Sequence, residues 1–161
     1  MPMILHVNGG LGKTEVAGAT MAAGNGNVVE GETGNYRDLA NRSVKDGMTP
    51  DHIPSYASVE KSLRDAGYEL SPEDLKELRN NTSCVVVKTC DHQSYSRTYG
   101  GRNSTSQISS DSINLYSAAE KNLAIWEQVW KNQNWSDQEI KQVKTEIHRI
   151  FFESKGIKYE P

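Results

Sequence analysis

Long apolar runs, paired cysteines and an excess of positive charge are all missing from this 161-residue chain. No stretch approaches the roughly 18–20 consecutive apolar residues that a spanning helix needs, so no membrane-spanning segment is expected. The opening residues Met1 to His6 lack the basic flank and apolar stretch of a signal peptide. Secretion would therefore have to be directed by something outside the chain. The two cysteines, Cys84 and Cys90, form no CxxC or Cys/His spacing, which argues against a structural zinc site. Two reduced, largely packed thiols and no disulfide are the expectation. The net charge of -3 excludes a generic nucleic-acid coat protein. It leaves room for an enzyme that needs only a local cationic groove.

What the chain has in quantity is glycine near its start. Residues 1–46 are interrupted by Gly9-Gly10, Gly12, Gly18, Gly24, Gly26, Gly31 and Gly34, and are read as a partly ordered linker. Gly9-Gly10-Leu11-Gly12-Lys13-Thr14 invites a phosphate-loop reading, but the first required glycine falls on Val7, so a nucleotide site is not expected. Residues 47–161 are read as one functional domain. Ser58 suggests a helix start with Val59 and Leu63 on its apolar face, ending at Gly67. Ser71-Pro72-Glu73-Asp74 combines a cap, a first-turn proline and first-turn acids, and predicts a helix running to about Asn80-Asn81. Cys84 to Val87 is short and β-branched, the best strand in the sequence. From about Ser104 to Trp130 apolar residues recur at helical spacing, and Trp135-Ser136 opens a last helix bearing Ile140, Val143, Ile147 and Phe151. The fold class expected is α+β, mostly helical.

The residues suited to chemistry lie in two places. Asp51-His52-Ile53-Pro54 offers a carboxylate and an imidazole, a metal ligand and a general base for phosphodiester hydrolysis. Successive residues of a regular strand face opposite ways, so for both to serve one site the backbone should turn here, and Pro50 and Pro54 make that plausible. Downstream, Asn80-Asn81 precede the strand, and Cys90-Asp91-His92 follow it. A strand running into a helix that carries His92 would complete a ββα unit. Lys88, Arg97 and Arg102 supply a local basic patch.

Asp51-His52-Ile53-Pro54 resembles the first element of HNH (His-Me finger) nucleases. The stretch from Val85 to Asn103 is similar to a segment of HNH-like toxin domains at the C-termini of contact-dependent inhibition (CdiA-type) and Rhs-type proteins, and Gly34 to Leu39 is similar to their lead-in. The resemblance implies a ββα-metal core with additional helices, with His52 as general base and Asp51 and His92 as metal ligands. It also implies Asn81 or Asn80 in an orienting role, and Arg97 and Arg102 on phosphate. The cofactor implied is a divalent ion, Mg2+ first, with Zn2+, Ni2+ or Mn2+ as alternatives. The implied partners are nucleic acid, DNA ahead of RNA, and a cognate immunity protein that protects the producing cell. The whole would act in the target-cell cytoplasm as part of a larger secreted effector. The competing readings are a metal-independent RNase toxin and a non-catalytic helical interaction domain.

Overall fold

The computed structural model describes residues 27–153. The glycine-rich phosphate-loop look-alike at 9–14 and the last helix's expected end at Lys155-Gly156 lie outside the described residues. The elements run β1 (Thr33–Asn35), α1 (Tyr36–Arg42), β2 (Met48–His52), α2 (Tyr56–Asp65), α3 (Pro72–Asn81), β3 (Ser83–Lys88) and α4 (Thr89–Tyr95). A 3-10 turn at Gly100–Arg102 follows, then α5 (Thr105–Ile113), α6 (Leu115–Asn132) and α7 (Asp137–Phe152). The chain is thus α+β and mostly helical. Part of the stretch read as linker, residues 33–42, forms β1 and α1, and its Leu39 is fully buried.

The sheet is antiparallel in the order β1-β3-β2. Its central strand β3 is buried from Ser83 to Val87, and the two-residue period of a strand divides its side chains between two cores. Val85 and Val87 join the larger one with Ile53, Val59, Leu78, Leu123, Trp126, Trp130, Ile147 and Phe151. Cys84 and Val86 face a smaller one with Val28 and Leu39. The tryptophans anchor the larger core: Trp130 stacks on Trp135 with ring centroids 4.9 Å apart. The rim of Trp135 also lies against Gly31, where any side chain would collide with the indole and where φ is +87°.

Helix starts follow local capping chemistry. Ser71 and Ser136 each close a capping box, with Asp74 and Glu139 respectively. Helix α2 starts earlier than the sequence suggests. Its cap is Ser55, whose hydroxyl accepts from the Ser58 amide, while Ser58 itself is buried. The long helical stretch after Ser104 is broken at Asn114, which leaves helical geometry and caps α6 by accepting from the Ser117 amide.

The two thiols have different fates. Cys84 is buried and Cys90 exposed, so the expectation of two packed thiols holds for one. Burial pushes the Cys84 thiol well above its ordinary pKa, and the nearby Asp51 charge adds to this. Because the thiolate is the reactive form, a maleimide should label native protein at Cys90 alone. Mass spectrometry after proteolysis checks this, and rapid labelling of Cys84 would contradict the burial.

Candidate active site

Strands β2 and β3 and helix α4 follow one another in space as strand, antiparallel strand, helix, with α2 and α3 inserted between the strands. Asp51 pairs with Val85 and His52 with Cys84 in an unbroken ladder. Pro50 fits within β2 because β2 is an outer strand of the sheet. The backbone therefore does not turn at Asp51-His52, and the two side chains leave opposite faces of the sheet.

Asp51 points into the larger core and is 4% exposed. A buried carboxylate needs donors for both oxygens, and it has them. Trp126 Nε1–H of α6 donates to Asp51 Oδ2 at 2.9 Å, and His92 Nε2 of α4 lies 3.2 Å from Asp51 Oδ1. Residues from β2, α4 and α6 are thereby joined at one carboxylate. Tyr99 meets the His92 ring edge-on, with centroids 5.2 Å apart.

His52 lies on the other face. Its ring stacks on Tyr36 of α1 at 4.6 Å between centroids, and its Nε2 is 3.0 Å from the backbone oxygen of Arg79. A carbonyl oxygen only accepts, so Nε2 carries the proton and Nδ1 keeps the lone pair. Burial lowers the His52 pKa below the ordinary histidine value, against smaller raising effects from the Arg79 carbonyl and Asp51. The ring is thus held neutral with a basic nitrogen in a fixed tautomer. Arg79 also sets its guanidinium over the Tyr36 ring, 5.1 Å from the centroid, and donates to the Tyr36 hydroxyl at 3.3 Å.

The other residues nominated from sequence are engaged elsewhere. The Asn81 amide donates back to its own helix, to the Glu77 carbonyl at 2.9 Å and carboxylate at 2.8 Å. The orienting contact to His52 comes instead from the Arg79 backbone. Arg97 grips Asp111 through two nitrogens, at 2.8 and 3.1 Å, and donates to Asn122 Oδ1 at 2.9 Å. Arg102 donates to the Ser94 carbonyl at 2.8 Å and to the Gln93 carbonyl, closing the free C-terminal carbonyls of α4. Lys88 lies 3.6 Å from Glu30. Arg97 is committed to the buried Asp111 and Asn122, whereas Arg102 and the Lys88 side chain keep access to solvent. The partners that sequence reasoning missed are Trp126, Tyr36 and Arg79. Trp126 reads only as a core anchor, because its indole N–H meets Asp51 across 75 positions. Tyr36 lies in the segment read as a lead-in, with nothing to assign it a contact.

The implied divalent ion can be tested against these donors. Among the described residues no three His, Cys, Asp or Glu side chains gather as a metal cage. Two donors do meet, Asp51 Oδ1 and His92 Nε2, at 3.2 Å. Ligands bound at roughly 2.0–2.2 Å to one ion sit about 3–3.5 Å apart, so this spacing suits a shared ion as well as a hydrogen bond. Trp126 then holds the far carboxylate oxygen in the manner of an outer-shell support. The pair would supply two of an ion's positions and leave the others to water and substrate oxygens, as hard divalent ions accept.

The fold and site together define an α+β, mostly helical domain whose small antiparallel sheet meets its helices at an aspartate-histidine pair. Over 89 residues the chain is 35% identical to a protein of Dickeya dadantii (strain 3937) named Deoxyribonuclease CdiA, an alignment covering 54% of this chain. The chain spans only 3% of that protein's length. No family model and no solved structure matches.

Proposed function

We propose that this chain is the nuclease region of a larger secreted antibacterial toxin, a metal-dependent endonuclease of the HNH (His-Me finger) type that hydrolyses phosphodiester bonds of target-cell DNA. The observation that carries the reading is the closure of Asp51 on His92 across 41 positions. The choice of DNA rests on the name of the Dickeya relative. A cognate immunity protein is the partner such an activity requires in the producing cell.

Hydrolysis begins with removal of a proton from the attacking water, and His52 Nδ1 is the group suited to take it. The imidazolium that forms keeps its Nε2–H bond to the Arg79 carbonyl, so the ring does not reorient during the step. Asp51 and His92 would hold the divalent ion, which when bound supplies positive charge to the phosphate and the leaving oxygen. Although Asp51 and His52 leave opposite faces, β2 is an outer strand. One phosphate at that outer edge would have to reach both.

Asp51→Asn tests this division of labour. The variant keeps an oxygen for Trp126 and loses the charge that an ion needs. Plasmid nicking is expected to fall by at least about 100-fold, with the far-ultraviolet circular dichroism unchanged. A folded Asp51→Asn protein that cuts at the parental rate would remove Asp51 from the chemistry.

A further inference from the structure

We propose a backbone-phosphate site beside His52, centred on the guanidinium of Arg79 and completed by the hydroxyl of Tyr36. The inference rests on the nuclease reading and adds to it the group that holds the substrate strand against the base.

It follows from where the arginines of the described residues spend their donors. Arg37 pairs with Glu77, Arg42 with Glu32 and Asp38, and Arg64 with Glu60. Arg97 pairs with Asp111, Arg149 with Glu146 and Glu153, and Arg102 with the Ser94 and Gln93 carbonyls. Arg79 alone meets neither a carboxylate nor a carbonyl: its guanidinium touches a single phenol, the Tyr36 hydroxyl. It is exposed, at the end of α3.

Its position is fixed from three sides. Its own backbone oxygen accepts from His52 Nε2, its guanidinium lies over Tyr36, and Tyr36 stacks on His52. A planar fork of unspent N–H donors, pre-ordered by an aromatic face, matches the oxygens of a phosphate. The Tyr36 hydroxyl accepts from Arg79, which leaves its own proton free for a second phosphate oxygen. A cation in the last turn of a helix also favours the helix dipole, so the test has to read phosphate contact and not stability alone.

The measurement is binding of the full chain to a fluorescent double-stranded DNA oligonucleotide in EDTA, titrated with salt, for the parent, Arg79→Gln, Arg79→Lys and Tyr36→Phe. One lost phosphate contact lowers the slope of log K against log salt by about 0.9. Arg79→Gln is expected to show that change with several-fold weaker binding. Arg79→Lys should keep the slope, and Tyr36→Phe should weaken binding about twofold or more at constant slope. Thermal melts identify any variant that fails to fold, and Tyr36→Phe, which removes one oxygen, then carries the comparison. A parental affinity and slope in Arg79→Gln, or a parental affinity in Tyr36→Phe where that variant carries it, overturns the site. If the parent also cuts plasmid, the nuclease reading survives that loss. A parent that neither binds nor cuts DNA sinks both.

Discussion

Replacing His52 with alanine should lower DNA cleavage by about 100- to 10,000-fold, the range lost when a positioned general base is removed. The loss falls on kcat more than on KM, because the imidazole acts on water in the transition state. The fold should survive, since the ring is half-buried at a strand end and its deletion leaves the Val85 and Val87 core untouched. The pH profile gives a second readout. The base is active when neutral, and burial holds its pKa below the ordinary histidine value. Activity should therefore persist as pH falls past that ordinary value and decline only below it. His52→Ala should remove this acidic limb from whatever rate remains. A structural histidine stacked on Tyr36 would instead lower the melting temperature and leave the limb in place.

The second large effect concerns stability. Arg97→Met should destabilise the fold by about 3–5 kcal/mol, the cost of leaving a buried charge without its partner. The Asp111 side chain is 2% exposed, and both its oxygens bind the Arg97 guanidinium. The same guanidinium serves the buried Asn122. For a domain of this size the melting temperature should fall by roughly 10 °C or more. Arg97→Met combined with Asp111→Leu should recover much of the loss, because the unpaired charge goes with its partner. If Arg97 served a phosphate instead, the single variant would melt near the parent and lose DNA affinity.

The contrast between Arg97 and Arg79 shows where sequence reading stops. Arginines near Gly100-Gly101 and His92 looked available because nothing local opposes them. For Arg97 the partners are remote: Asp111 and Asn122 reach it from α5 and α6, and only the fold reveals that its charge is spent. Arg79 carries no local signal, since its role comes from a backbone carbonyl and from Tyr36, 43 positions away. Elements governed by local chemistry were legible. Ser71-Pro72 and Ser136 start helices where their caps and first-turn acids predict, and Cys84 to Val87 is strand. Helix α5 parts from α6 because Asn114 caps α6, a competition between side chain and backbone that periodicity does not register. The resemblance implies Asp51 and His92 at one ion, and in the fold these two side chains lie within 3.2 Å of each other. The opposite facing of Asp51 and His52 was not legible, because Pro50 and Pro54 suggested a turn, whereas an outer strand tolerates Pro50 in register.

The most direct test of the central claim is incubation of the purified chain with supercoiled plasmid and with total RNA, in Mg2+ and in EDTA, beside His52→Ala. Nicking and linearisation of the plasmid in Mg2+, stopped by EDTA and nearly lost in His52→Ala, is the predicted result. A folded chain that leaves both plasmid and RNA intact in Mg2+ would contradict it.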